Sequence, residues 1–153
     1  MIMEHNPETI KETIARFFEK MTIDVKIDDL VMGENTISVS LTTDEPQTLI
    51  GENGQVLNDL QQILRLVLRR QIDAPFFIDI DINNYKEEKT DKIKEIVRGA
   101  IDEVIITGRE NILPPMSANE RRIVHMEIGL RIDVKSESVG EGPERRVVIK
   151  PAN

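Results

Sequence analysis

The chain has 153 residues, of which 39% are hydrophobic, a net charge of −8, two histidines and no cysteine. This length fits one domain or two small ones, and the lack of cysteine excludes disulfides, thiolate chemistry and Cys/His zinc sites. The chain has neither an apolar run that could cross a bilayer nor a signal-peptide pattern at its N-terminus. We therefore expect a cytoplasmic protein with no metal and no cofactor.

Charge is distributed unevenly along the chain. Residues 1–84 hold 7 Lys/Arg and 15 Asp/Glu, whereas residues 85–153 hold 13 of each. We therefore predict two units, one acidic and one balanced, and expect any polyanion to be held by local patches rather than by net charge. Aromatic residues make up 3% of the chain, which is too few for a sheet on which bases stack.

The first half has the periodicity of an α+β unit. Apolar residues recur at helical spacing in two segments and alternate with polar residues in three others. The predicted elements are a helix from Asn6-Pro7 to Met21, strands around 23–27 and 37–41, a short helix over 44–50, a helix over 55–71 and a strand that opens at Pro75.

Two glycines spaced G-x-x-G, Gly51 and Gly54, separate the short helix from the long one. Glycine lets a backbone turn tightly and approach another molecule, and a helix that begins there points N–H groups and a positive dipole end outward. This arrangement can hold the phosphates of a single-stranded nucleic acid, and a simple turn between packed helices is the alternative. The predicted contacts are Ile50, Gly51, Glu52, Asn53, Gly54 and Gln55, with Arg65 and Arg69 on the following helix.

The second half predicts a further α+β unit with its own sheet. A Ser-x-x-Glu capping box opens its second helix, and a Gly/Pro-rich connection separates its last two strands. The predicted elements are a helix over 86–107 ended by Gly108, a short strand at 111–113, a helix from Ser117 to about Ile128, and strands at 130–134 and 147–149.

Arg121 and His125 are four residues apart on the capped helix, so they project from the same face. Together with Arg122, they can bind a phosphate and offer a ring for stacking or hydrogen bonding. On spacing alone, the more frequent arrangement is a solvated helix surface on which Arg121 pairs with a carboxylate.

The element order of the first half resembles that of a type II KH domain, a three-stranded sheet with helices on one face. The segment from Leu113 to His125, with its Arg-xxx-His pattern, and the segment from Gly140 to Ile149 resemble the R-3-H domain. A KH domain followed by an R-3-H domain is the layout of the bacterial Jag/KhpB (SpoIIIJ-associated) family. The resemblance implies an α+β chain with a KH domain at 1–84 and a small α+β R-3-H domain at 85–153.

The resemblance also implies a function. A member of this family is expected to bind single-stranded RNA, with Gly51 to Gly54 on the KH loop and Arg121 and His125 as the signature pair. It is expected to act as a post-transcriptional regulator or RNA chaperone linked to cell-envelope or division control.

Other partners and activities remain open at this point. Further partners would be single-stranded DNA and a second KH protein in a homo- or heterodimer, without direct membrane insertion. The alternative is a protein–protein adaptor whose acidic KH unit docks a basic partner and whose loop no longer binds RNA. We expect no enzymatic activity, because no nucleophile or metal constellation stands out.

Overall fold

In the computed structural model, which describes residues 5–152, the chain divides into two units, Met1–Lys86 and Glu87–Asn153. We call them the first and the second unit. Both combine helices with a three-stranded sheet, so the α+β class predicted from the sequence is confirmed. Among residues 5–152, no helix combines the length and the apolar character that a membrane span requires.

The first unit is built from three helices and three strands. Its elements are α1 (Pro7–Lys20), β1 (Lys26–Met32), β2 (Thr36–Thr42), α2 (Pro46–Ile50), α3 (Gln55–Leu68) and β3 (Phe77–Ile82). The sheet order is β1-β2-β3, with β1 antiparallel and β3 parallel to β2. Because a parallel pair needs a long crossover, α2 and α3 form the connection from β2 to β3, and the G-x-x-G loop lies between them.

One face of this sheet forms the core of the first unit. Ser38 and Asp79 are exposed, whereas the apolar residues next to them along β2 and β3 are buried. Helix α3 contributes four buried leucines at helical spacing, and α1 buries Ile10, Ile14 and Phe18. Helices on one face of a three-stranded sheet are the architecture expected of a type II KH domain.

Two boundaries in the first unit differ from the predicted ones. Strand β1 begins at Lys26 rather than at residue 23, because β2 ends at Thr42, the residue that pairs with Lys26. Helix α3 ends at Leu68 rather than at residue 71, since the chain then turns and brings Ile72 into the core.

The remaining elements are α4 (Tyr85–Thr107), β4 (Asn111–Ile112), α5 (Ala118–Ile128), β5 (Val134–Val139) and β6 (Arg146–Pro151). In the sheet of the second unit, β6 is central and antiparallel to both β4 and β5. Apolar residues of α4, α5 and the sheet form a second core, which includes Val97, Ile101, Val104, Val124, Ile128, Val147 and Ile149.

The predicted capping box forms at the start of α5. The Ser117 Oγ accepts from the Glu120 N–H at 3.3 Å, and the Glu120 Oε2 accepts from the Ser117 N–H at 2.7 Å. Burial raises the pKa of the Glu120 carboxyl, but the Ser117 N–H and the Lys89 ammonium outweigh it, so the pKa lies below its usual value. The box fixes where α5 begins and thereby which face Arg121 and His125 share.

The prediction of a strand at 130–134 is wrong. Leu130 and Ile132 are exposed, and the chain turns after α5, where Arg131 pairs with Asp133 at 2.6 Å. Strand β5 starts only at Val134 and runs to Val139. Serines at 136 and 138 occupy alternate positions of β5, so a search for alternating apolar residues does not detect this strand.

Candidate nucleic-acid interface

The G-x-x-G loop of the first unit joins α2 to α3 through a 3₁₀ turn at Glu52–Gly54. Gly51 has φ 71° and ψ −175°, and Gly54 has φ 80° and ψ 16°. Asn53, between them, is also left-handed, with φ 53°. Residues with a Cβ rarely adopt these conformations, and the combination at Gly51 is essentially confined to glycine, so the local backbone favours glycine at Gly54 and requires it at Gly51.

Side chains of the first unit fill the space beside both glycines. A Cβ on Gly51 would lie 2.4 Å from Cγ2 of Val56, and a Cβ on Gly54 would lie 3.2 Å from the hydroxyl oxygen of Tyr85. Gly54 itself is buried. The missing side chains therefore make room for Val56 and Tyr85 within the first unit.

The expectation of unpaired loop amides is corrected at three positions. The internal donations are Gly51 N–H to Gln47 O at 2.9 Å, Gly54 N–H to Gly51 O at 3.4 Å, and Gln55 N–H to Glu52 O. They arise because α2, the 3₁₀ turn and α3 follow one another closely, so the end of each supplies acceptors to the next. Ile50 is buried in the core, and the exposed side chains at the tip are a carboxylate, Glu52, and an amide, Asn53.

The structure does not bring Arg65 and Arg69 to the loop. At 1.5 Å per residue, Arg65 lies roughly 15 Å along the axis of α3 from Gln55. Its guanidinium carbon is 5.4 Å from the centroid of the Phe77 ring, and Arg69 follows the last residue of α3. Both arginines therefore lie at the C-terminal end of α3, and the loop lies at its N-terminal end.

An open depression of about 430 Å³ lies on the second unit, beside α5. It brings together the predicted residues Arg121, Arg122 and His125 and adds Ser138 of β5 and Arg145, the residue before β6. We call it the arginine depression. Its full lining is Ala118, Arg121, Arg122, His125, Met126, Ser138 and Arg145.

The main chain of Met116 holds two of these arginines in place. Its carbonyl accepts from the Arg121 Nη1 at 2.8 Å, and its N–H donates to the Arg145 carbonyl at 3.1 Å. Met116 lies immediately before Ser117, the N-cap of α5. It therefore links the first turn of that helix to the segment entering β6. Arg121 and Arg145 therefore lie at the same depression although they are far apart in sequence.

Among residues 5–152, the three arginines of the depression, Arg121, Arg122 and Arg145, form no ion pair with a carboxylate. The alternative in which a carboxylate neutralises Arg121 is therefore not observed. Other arginines of the second unit do form such pairs: Arg98 with Glu127, Arg131 with Asp133, and Arg146 with Glu144.

Glu144 pairs with Arg146 and not with Arg145. Both arginines that follow Glu144 are close enough in sequence to compete for it. Arg146 takes it, donating from Nη2 to the carboxylate at 2.9 Å and from Nε to the Glu144 carbonyl at 3.0 Å. Arg145 is exposed and directed to the depression instead.

His125 uses both ring nitrogens within the second unit. Its Nδ1 is 2.7 Å from the Ser136 Oγ, and its Nε2 is 2.7 Å from the Ser138 Oγ. The two serines are two residues apart on β5, so they share one face of the strand. The ring is fixed in orientation, and its nitrogens are not directly available to a phosphate in the manner expected from the sequence.

Comparison with known proteins identifies the family. Residues 91–151 match the R-3-H domain, and the match includes every residue of the arginine depression. Proteins named RNA-binding protein KhpB are similar: one from Streptococcus pneumoniae is 32% identical over 114 residues, 74% of this chain, and one from Clostridium symbiosum is 28% identical over 155 residues, 97% of it. The chain belongs to the Jag/KhpB family.

Coverage of these relatives differs. The chain spans 35% of the length of the Streptococcus pneumoniae relative and 69% of that from Clostridium symbiosum. A further RNA-binding protein KhpB, from Bacillus subtilis, is 28% identical over 144 residues, which is 93% of this chain and 65% of the relative.

Three polar residues in or beside the arginine depression, Ser136, Ser138 and Arg145, were not predicted. Ser136 and Ser138 were missed because β5 was placed too early, although serines two residues apart after a short turn are a detectable pattern. Arg145 was missed because the sequence does not say which of the two arginines Glu144 takes. Within residues 5–152, no group of three or more His, Asp or Glu side chains is arranged to hold a metal ion.

Proposed function

We propose that this chain binds single-stranded RNA, with the arginine depression of the second unit as its principal contact. The observation that supports this is the convergence of Arg121, Arg122 and Arg145, none paired with a carboxylate within residues 5–152, on one open depression. A guanidinium presents a planar fork of donors that matches two phosphate oxygens, and an open site admits a strand that continues on both sides. The names of the relatives, RNA-binding protein KhpB, support the same function.

A local site of this kind is compatible with the net charge of −8. Charges separated by more than about 10 Å of electrolyte are largely screened at 0.1 M salt, so three neighbouring guanidiniums act on a strand that touches them. If each neutralises one phosphate, log K against log salt should have a slope of roughly −2, since a single strand releases about 0.7 counterions per contact.

We propose an auxiliary role for the first unit. Its loop offers the Asn53 amide but also the Glu52 carboxylate, which repels a phosphate. Leu66 and Phe77 are 64% and 61% exposed, and residues 1–84 are strongly acidic. These features favour the adaptor function for this unit, with a basic protein or a second KH protein, as homo- or heterodimer, for its partner. Even weak RNA contacts here would add affinity through effective concentration.

The remaining functional assignments are proposals of the same kind. We propose two domains, KH at 1–84 and R-3-H at 85–153, in a cytoplasmic post-transcriptional regulator or RNA chaperone with a link to cell-envelope or division control. Single-stranded DNA is a second candidate ligand, since phosphate contacts alone do not distinguish it from RNA. That the chain is not an enzyme stays a prediction, in keeping with the names of the relatives.

The test is a titration of fluorescently labelled single-stranded oligouridylate at two salt concentrations. The variants are Arg121→Ala/His125→Ala in the depression and, as a matched control, Arg131→Ala, whose guanidinium pairs with Asp133 in the same unit. Glu52→Lys reverses the charge at the exposed loop tip. We expect the double variant to lose at least about tenfold in affinity, and Arg131→Ala to bind like the wild type within about twofold.

The outcomes separate the proposals. Affinity that is equal in the wild type and the double variant, or independent of salt, would contradict binding at the depression. Glu52→Lys should leave affinity within about twofold if the first unit is auxiliary, whereas a gain of severalfold with a steeper salt dependence would place the loop on the RNA backbone. No binding by any of the proteins at low salt would leave the adaptor function.

A further inference from the structure

How His125 serves the arginine depression is not explained by its own nitrogens, since both are held by serines. We propose that the Ser138 hydroxyl donates to a phosphate oxygen of the RNA and that His125 is a positioning residue that acts through it. This inference rests on the proposed RNA binding. It assigns the direct contact to a serine of β5 and an indirect role to the histidine of the signature pair.

The geometry distinguishes the two serines. Both hydroxyl oxygens are 2.7 Å from a ring nitrogen, and both residues are half-buried on the same face of β5. Only Ser138 lines the arginine depression, together with Arg121, Arg122 and Arg145. Ser136 therefore contacts the ring on the side away from the site, and Ser138 contacts it on the side of the site.

The hydrogens on the His125 ring and on the two serine hydroxyls determine whether Ser138 can donate to a ligand. A neutral imidazole donates from one nitrogen and accepts at the other, and each serine hydroxyl has one hydrogen to donate. In the arrangement we infer, the Ser136 O–H donates to Nδ1, and Nε2–H donates to the Ser138 Oγ. The hydrogen of Ser138 then remains available and can be donated to an anion in the depression.

The opposite tautomer would remove this donor. If Nδ1 carried the proton, the Ser138 O–H would have to donate to Nε2, and its oxygen would then face the phosphate with lone pairs only. Three uncompensated guanidiniums beside Ser138 favour the first arrangement when an anion is bound, because the anion accepts from every donor around it. The chain from Ser136 through His125 to Ser138 thus orients one hydroxyl donor toward the RNA backbone.

Ser138→Ala and Ser136→Ala form a matched pair for the test, since each removes one bond to the ring but only the first removes the donor. With the full chain and labelled oligouridylate, we expect Ser138→Ala to weaken binding about tenfold and Ser136→Ala at most about threefold. Ser138→Thr keeps the hydroxyl and suits a strand, so it should bind within about twofold of the wild type. Thermal unfolding of each variant excludes misfolding as the cause.

Two further measurements report on the positioning role. In a double-mutant cycle, adding His125→Ala to Ser138→Ala should weaken binding by less than about twofold, because both changes interrupt one chain. In the wild-type protein saturated with oligouridylate, nitrogen-15 NMR of the ring should show the proton on Nε2. A proton on Nδ1, or equal losses for Ser136→Ala and Ser138→Ala, would overturn the inference. Binding that is also insensitive to Arg121→Ala/Arg122→Ala would show instead that the proposed function has failed.

Discussion

The G-x-x-G loop of the first unit and the arginine depression of the second unit were both predicted from short sequence motifs. In the structure they differ in whether their hydrogen-bond donors and charges already have partners. At the loop, Val56 and Tyr85 fill the space beside the glycines, and three of the amides donate internally. At the depression, three guanidiniums have no carboxylate partner within residues 5–152 and line one open surface. The loop donors are satisfied within their own unit, whereas the charges of the arginines are available for the RNA contact that we propose.

This difference shows that residue type and spacing do not by themselves make a binding site. A donor hydrogen contributes to binding only if the fold has not already supplied it with an acceptor, since a bond inside the protein must otherwise be broken first. Arg121 donates from one nitrogen to the Met116 carbonyl, but a guanidinium has five N–H hydrogens, so others remain for a ligand. Arg145 and Arg146 illustrate the point within two residues. Arg146 is held by Glu144, and Arg145 is directed to the depression.

The largest effect is expected from Arg122→Ala/Arg145→Ala. Removing two uncompensated guanidiniums should weaken binding of single-stranded RNA roughly a hundredfold, or about 2.7 kcal/mol, at low salt. Filter binding or anisotropy measures the change. The matched control is Arg98→Ala/Arg131→Ala, which removes the same charge from arginines that are ion-paired. Equal losses in the two double variants would mean that net charge, and not the depression, determines binding.

Gly51→Ala tests whether the loop glycine serves the fold. The substitution places a Cβ 2.4 Å from Cγ2 of Val56 at a φ of +71°, so we expect the free energy of unfolding to fall by about 2 kcal/mol in urea titrations. Gly99→Ala, in the middle of α4 with open space around it, should instead gain up to about 1 kcal/mol. If the Gly51→Ala protein stayed folded but lost RNA binding, the loop glycine would serve binding and not the fold.

Arg145→Ala tests whether a single charge of the depression contributes one phosphate contact. We expect roughly tenfold weaker binding and a salt slope smaller in magnitude by about 0.7, because one phosphate contact is lost from a single strand. Affinities measured over a series of salt concentrations give the slope. Arg146→Lys keeps the charge beside Glu144, and its slope should match that of the wild type. An unchanged slope in Arg145→Ala would remove this residue from the site.

The smallest effect is expected at the capping box that begins α5. The folded-state pKa of Glu120 lies below its unfolded value, so its charge stabilises the fold above the unfolded pKa, and this contribution is lost as pH falls through the folded pKa. Glu120→Gln keeps an acceptor without the charge. It should lower the free energy of unfolding by about 0.5 kcal/mol near pH 7, and the difference should vanish as the pH falls through the lowered folded-state pKa of Glu120.

Urea unfolding across a pH series measures this difference. A difference between Glu120→Gln and the wild type that stayed constant into acid would contradict the role assigned to the charge. RNA affinity should change by less than about twofold, since the substitution leaves the arginines and the start of α5 in place.

Local patterns predicted much of the fold. The capping box at Ser117 placed α5, the alternation along β2 and β3 placed the core face of the first sheet, and Arg121 and His125 do lie on one surface. These predictions depend on residues within a few positions of each other, where the repeat of a helix or strand determines which side chains share a face. The strand prediction at Leu130 and Ile132 failed because it used the same local pattern. These two residues alternate with polar ones, but they lie where the chain turns after α5.

The sequence by itself determined the element order, the family and the residue types of the site. Only the tertiary structure decided which groups remain available for binding. Tyr85 fills the space beside Gly54, Ser138 holds His125, and Met116 connects Arg121 to Arg145. Most of these partners are separated by many residues, and hydrogen bonds and packing between them exist only once the elements have been brought together, so no local spacing encodes them.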